Sequence, residues 1–323
     1  MDTITIHLDA ADMRRMLRHA YGPHLAPVGE DFARPLPTDG PEQGTSHLAT
    51  LRTGQRIVLR TAPSPEVDLL TQETDLLGAE VEALQMIPEH TDVPVPAMHH
   101  HDESQELVDV EWFCREHVEG TSLGHAVLDH AARLQVTRDL GRQLRALHTI
   151  EGESFGRFQQ PLMDSWQDAF SGIFEDVLRD AQRFGADLGV DLDRVHGRFL
   201  DHSPALDAVR TPVFCLWRTP KSTIVVDEGW IVGLVRPAKT FWADPLLESA
   251  FSICLDADSP ASSALLSGYG RGPLEPDEVE RRRLYDLYDA LVRATEAALR
   301  HPQDLGARRQ DLTAAMARLD HRR

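Results

Sequence analysis

Hydrophobic and polar positions along this chain follow two different periods. Asp9 to His19 set Met13, Met16 and Leu17 on one face, the spacing of a short amphipathic helix, after an alternating stretch over 3–8 that predicts a strand. Residues 21–44 are rich in Pro and Gly and read as loop. Ser46–Leu51 and Arg56–Thr61 predict two strands joined at Thr53-Gly54, ended by Pro63 and Pro65. Residues 66–87 carry Leu77, Val81 and Leu84 at helical spacing, with Pro88 as the stop. Residues 93–100 and 107–113 predict further strands around the polar turn Asp102-Glu103-Ser104, giving a five-stranded, β-rich unit with one long helix.

Beyond Phe113 the period becomes helical. Leu134, Leu140, Leu144 and Leu147 predict a helix ending near His148. Trp166, Phe170, Ile173, Val177 and Ala181 predict another, capped by Asp164 or Ser165, and 191–208 a third. Apolar runs at 213–217, 223–227 and 230–235 read as short strands. Residues 275–300 read as a long helix with Leu284, Leu287, Leu291 and Ala298 inward. There is no internal repeat. The expected division is 1–112, β-rich, and 113–323, mostly helical, an α+β class.

Composition narrows the partners. With 323 residues, 41% of them hydrophobic, the chain has enough apolar surface for about two domains and too much for disorder. Acids outnumber bases 52 to 33, which argues against nucleic acid or an anionic membrane as partner. No stretch approaches the roughly 18 apolar residues of a membrane span. Met1-Asp2-Thr3 opens neither a basic nor a long apolar leader, and Cys114, Cys215 and Cys254 are few and widely spaced, so a cytoplasmic location with reduced thiols is expected. Among 33 basic residues only Lys221 and Lys239 are lysines, and both fall in one region.

The order of elements from about Gly44 to Arg300 resembles the aminoglycoside phosphotransferase family, within the kinase-like fold. Arg56-Ile57-Val58-Leu59-Arg60 is similar to the strand that carries the nucleotide-phosphate lysine, with Arg60 in its place, and Glu80 matches the helix glutamate that pairs with it. Val93-Pro94-Val95-Pro96, the hinge-like stretch Phe113 to Gly120 and the helix ending Leu147-His148 continue the likeness. The segment 212–248 keeps the family frame without a gap, closing on Trp242-Ala243-Asp244-Pro245. The resemblance implies a bilobal protein-kinase-like fold, a β-rich N-lobe (1–112) on a helical C-lobe (113–323).

In that frame the His position is Leu216, the catalytic Asp position Arg218, the Asn position Thr223 and the second Asp position Arg236. Phosphoryl transfer in this fold needs a carboxylate to orient the attacking hydroxyl, and an Asp and an Asn to hold Mg²⁺. Arginine has no acceptor and stays protonated. The resemblance therefore implies a degenerate member, resembling a pseudokinase, with no catalytic residue at these positions and no metal or other cofactor expected.

Arg218, Lys221, Arg236 and Lys239, with Arg60 and Glu80, are the candidate ligand-binding residues. Two readings stand: a cleft for an anion such as phosphate, carboxylate or an acidic peptide, or internal salt bridging to Asp244, Glu80 or Glu248. The expected partner is an anionic small molecule, or a peptide or protein. The expected function is binding or scaffolding, in specialised metabolism by analogy. The alternatives are an enzyme of another reaction class reusing the cleft, or a divergent small-molecule or peptide phosphotransferase. His99-His100-His101 is a weak metal candidate, because consecutive strand residues face opposite ways. Arg281-Arg282-Arg283 reads as a solvated helix face, and Asp244 as scaffold.

Overall fold

The computed structural model describes residues 6, 8–29, 31–36, 44–158 and 160–320. Helix α1 (Ala10–Tyr21) is capped by Asp9, whose carboxylate accepts the Asp12 N–H while Asp12 reaches back to the Asp9 N–H. Strands β1 (Ala33–Pro35), β2 (Ser46–Thr50) and β3 (Arg56–Thr61), helix α2 (Leu76–His90), and strands β4 (Met98–Asp102) and β5 (Trp112–Glu116) follow. They form one antiparallel sheet in the order β1-β2-β3-β5-β4. The two-residue period of β3 turns Ile57 and Leu59 toward α1, where Met13, Met16 and Leu17 cover them. The alternate residue Arg60 faces the other way, toward α2, which packs Leu77, Val81 and Leu84 on Phe113.

The rest is largely helical. It runs β6 (Thr121–Ser122), α3 (His130–Leu147), β7 (Gly156–Arg157), α4 (Trp166–Arg183), α5 (Leu192–His202), β8 (Val213–Cys215), β9 (Ile224–Asp227), β10 (Trp230–Leu234), β11 (Phe241–Ala243), α6 (Pro260–Tyr269), α7 (Pro276–Arg300) and α8 (Leu305–Asp320). Two small sheets, β10-β9-β6 and β7-β11-β8, sit among these helices. Helices α3 and α6 meet backbone to backbone. A Cβ on Gly268 would stand 1.8 Å from the Arg138 carbonyl oxygen, and one on Gly141 2.2 Å from that of Leu265. No helix of the described residues is long and apolar enough to cross a membrane.

The α+β class and the five-strand count match the sequence pattern, but several bounds move. Of the strand expected over 3–8, residues 3–5 and 7 lie outside the described residues, and the fifth strand is β1, inside the stretch read as loop. The helix expected from residue 66 starts at Leu76. The chain before it is held elsewhere, because the N–H and hydroxyl of Thr71 both donate to Asp180 on α4, at 2.6 and 3.0 Å. Pro88 does not stop α2. It sits in the last turn, and Thr91 closes the helix by donating its N–H and hydroxyl to the Ile87 carbonyl, each at 2.9 Å. Pro94 and Pro96 keep 93–97 out of the sheet, so β4 begins at Met98, and β5 begins at Trp112 rather than at 107. Residues 191–208 split at His202 into α5 and a 3₁₀ turn that carries Pro204 in its first turn. Helices α6 and α8 were not expected from the pattern.

Candidate functional site

The segment between β8 and β9 is fixed from below before it presents any charge. Glu248, almost wholly buried, accepts the Leu216 N–H at 2.6 Å, and the Cys215 thiol donates to the Asp244 carbonyl oxygen at 3.4 Å. Asp244 is braced in turn by the Arg281 guanidinium (2.8 Å), the Tyr285 hydroxyl (2.7 Å) and the Leu246 N–H (3.0 Å). The chain then turns through Trp217, whose φ of 42° lies in the left-handed region, and delivers Arg218.

Arg218 is not aimed into open solvent. Its Nε donates to Asp289 Oδ1 at 2.5 Å, its Nη1 to both oxygens of Glu296 at 3.1 and 3.2 Å, and its Nη2 to the Asp289 carbonyl at 3.2 Å. The guanidinium lies 4.4 Å from the Trp217 ring centre, and Lys239 Nζ lies 5.3 Å from that ring and 3.4 Å from Glu296. Asp289 and Glu296 lie seven residues apart on α7, two turns along one face. Burial works against the Arg218 charge, but Asp289 and Glu296 outweigh it and raise its pKa. Burial likewise opposes ionisation of Glu296, yet Arg218 and Lys239 hold its carboxyl at about 2, against an ordinary 4.5.

That depression has a measurable consequence. The stability it contributes is complete above pH 4.5 and is lost as pH falls from 4.5 towards 2. With the side chain 22% exposed, the amount is on the order of 2–3 kcal/mol. Urea unfolding of wild type and Glu296→Gln from pH 7 down to the acid limit should show the variant's curve flatter in that window. Parallel curves would remove Glu296 from the account.

The candidate residues converge in part. Arg218, Thr223, Arg236 and Lys239 line a cavity of 170 Å³, together with Glu73, Glu296 and Arg300. Lys221 is exposed and borders an adjoining cavity of 530 Å³ that shares Arg218. The Thr223 hydroxyl is committed to the Pro220 carbonyl at 2.9 Å. Arg60 and Glu80 do not line the cavity. They form a buried pair with Nε and Oε2 at 3.3 Å, and Arg115 reaches the same carboxylate at 4.0 Å. Burial pulls the Arg60 pKa down to about 9; Glu80 opposes this, and the charges of Arg236 and Arg115 add to it. Arg236 therefore connects the cavity electrostatically to the Arg60–Glu80 pair behind it.

For Arg218 and Lys239 the salt-bridging acids are not those expected. Asp244, Glu80 and Glu248 do not pair with Arg218 or Lys239; Asp289 and Glu296 do. The arginine triplet is not a solvated face either. Arg282 is 0% exposed and donates to the carbonyls of Leu246 and Glu248, while Arg281 is buried against Asp244. Both turn inward because α7 packs across the 244–249 turn, whose carbonyls and Asp244 need donors. Sequence reading missed Glu73, Asp289, Glu296, Arg300 and Trp217. The 289/296 spacing on the long helix was the one available signal.

The kinase-like resemblance implies Mg²⁺ at these positions, and the donor set does not fit it. Arg218 and Arg236 offer no acceptor oxygen. The cavity carboxylates are engaged by cations: Glu296 by Arg218 and Lys239, and Glu73 by Arg300 at 2.6 Å.

A sequence profile described as "Phosphotransferase enzyme family" matches residues 38–322. No curated protein sequence matches the chain. Among solved structures, a thermostable mutant of aminoglycoside phosphotransferase APH(4)-Ia in its apo form superposes with a TM-score of 0.68 at 14% identity, covering 94% of this chain and 98% of that one. Another structure of a thermostable mutant of that phosphotransferase, a ternary complex with ADP and hygromycin B, superposes with a TM-score of 0.68 at 14% identity, covering 95% of this chain and 98% of that one. The macrolide 2'-phosphotransferase MphH from Brachybacterium faecium superposes with a TM-score of 0.57 at 19% identity, covering 95% and 99%. These likenesses place the fold in the kinase-like class: an N-terminal antiparallel sheet followed by a largely helical region.

Proposed function

Because this chain belongs to the phosphotransferase enzyme family, we propose that its cleft binds an anionic, phosphate-bearing small molecule without a metal ion, and that Arg218 and Arg236 do not support phosphoryl transfer. One observation carries the reading: in a chain of net charge −19, the cavity lining sets Arg218, Arg236, Lys239 and Arg300 against only Glu73 and Glu296. A locally positive, part-buried cavity favours phosphate oxygens, which accept charge-assisted hydrogen bonds. Arg218 orders the floor of the cleft through α7, and Arg236 and Lys239, the latter also 3.4 Å from Glu296, line the same cavity and are the residues assigned to the ligand.

A second reading has its own observation. Burial pushes the Glu73 carboxyl up to about 7, with Arg300 opposing, so a carboxyl poised near neutrality lines the same cavity. A general base works best near the operating pH. A divergent phosphotransferase acting on a hydroxyl-bearing small molecule would use it, as the aminoglycoside and macrolide enzymes of similar fold invite one to test.

An ATP-consumption assay with hydroxyl acceptors, with and without Mg²⁺, separates the two. The first reading expects no turnover. It also expects thermal stabilisation by metal-free ATP or phosphate that weakens with salt and is lost in Arg236→Ala. Mg²⁺-dependent turnover abolished by Glu73→Gln would overturn it in favour of the second.

A further inference from the structure

A second group of chemically competent side chains lies outside the cleft, where α1 crosses the edge of the large sheet. β4 is an edge strand, and its two-residue period puts His100 and Asp102 on one face. The last turn of α1 adds His19 to them. One ring nitrogen of each histidine and one oxygen of Asp102 all lie within 4.8 Å of one another. His19 Nε2 stands 3.7 Å from Asp102 Oδ2, too far for a hydrogen bond. It is close to the roughly 3.4 Å that separates two donors held by one tetrahedral ion at about 2.1 Å each.

Three features distinguish this group from a chance meeting of polar side chains. Asp102 is buried, and its Oδ1 accepts both the N–H (2.8 Å) and the hydroxyl (2.6 Å) of Ser104, so the carboxylate is oriented with Oδ2 toward His19. His100 Nε2 is buried and has no hydrogen-bond partner. Trp112 closes the inner side, its ring 5.0 Å from that of His100 and 6.3 Å from that of His19. The outer side is open, since the His19 side chain is 54% exposed. The adjoining His101 is spent differently, on a 2.6 Å hydrogen bond to Glu111.

We infer that His19, His100 and Asp102 form a binding site for a divalent transition-metal ion, Zn²⁺ foremost, with Ser104 as the residue that orients the carboxylate. Two imidazoles and one carboxylate are a donor set such ions accept, and the exposed side leaves room for water as a further ligand. The ion would tie α1 to β4, elements separated by more than 70 residues of sequence, and so stabilise the sheet against loss of its covering helix. The site is independent of the cleft and of any reading of it.

The test titrates the tag-free, metal-stripped full chain with Zn²⁺ by calorimetry, and with Co²⁺ by its visible absorption. The expected result is saturable binding that raises the melting temperature, with intense Co²⁺ bands of a four- or five-coordinate ion. Ser104→Ala should weaken affinity about tenfold, and His19→Ala and Asp102→Asn by more, while His101→Ala leaves it unchanged. His19 is exposed, so His19→Ala should fold as wild type, which circular dichroism without metal checks. Equal Zn²⁺ affinity in wild type and His19→Ala, or no saturable binding by wild type, overturns the inference.

Discussion

Replacing Arg218 with Ala is expected to lower the unfolding free energy by about 3–5 kcal/mol, the cost of breaking a buried pair from one side. The change strips Nε and Nη1 donors from Asp289 and Glu296, whose side chains are 17% and 22% exposed, and leaves two carboxylates two turns apart on α7 without the cation between them. Lys239 still reaches Glu296, and Arg293 still reaches Asp289 at 2.7 Å, so the loss stops short of unfolding the helix. Arg218→Asp, which would bring back the carboxylate of the family pattern, should cost more, because it adds a third negative charge to the same place. Arg218→Met combined with Asp289→Asn and Glu296→Gln should recover only part of the loss, since it leaves no carboxylate unpaired but takes Glu296 from Lys239 and Asp289 from Arg293. Urea unfolding at pH 7 measures all three. A change of under about 1 kcal/mol in Arg218→Ala, the size of an exposed ion pair, would mean that α7 does not hold this arginine.

Arg282→Ala should be of similar size, about 3–5 kcal/mol. The residue is 0% exposed, and its guanidinium serves three acceptors at once: the Leu246 and Glu248 carbonyls through Nη1, and Asp286 Oδ1 at 2.9 Å through Nη2. Arg282→Lys should rescue only part of the loss, since one ammonium cannot reproduce the planar fork. The damage should travel. The turn that Arg282 holds also positions Glu248 under the Leu216 N–H, so phosphate or ATP stabilisation of the cleft should weaken in the variant although no cavity-lining residue has changed. Full rescue of stability by lysine would show that the charge alone, and not the fork, is required.

Much of this architecture was readable one element at a time. The alternation in 56–61, the helical spacing of Leu77, Val81 and Leu84, and the run from Trp166 to Ala181 each state which face is buried, because a strand or helix repeats its orientation every 2 or 3.6 residues whatever lies opposite. Caps are equally local: Asp9 and Ser165 sit three residues from the N–H groups they accept. The ungapped frame at 212–248 likewise singled out Arg218, Thr223, Arg236 and Lys239, which line one cavity.

Local pattern could not say what a buried charge meets. Arg218 is 71 and 78 residues from Asp289 and Glu296, and Arg300 is 227 from Glu73. These pairs exist only because α7 packs beneath the loop after β8 and because the stretch before α2 is drawn down onto α4 and α7. The same packing buries Arg282, which on an isolated helix would be an ordinary surface arginine. His19 reaches His100 and Asp102 only through the packing of α1 on the sheet. The sequence by itself determined the class of the fold, the apolar faces of its strongly periodic elements and the chemical types at 212–248. The tertiary structure decided which opposite charge each of those types would find, since a charge leaving water takes whichever partner long-range packing sets within reach.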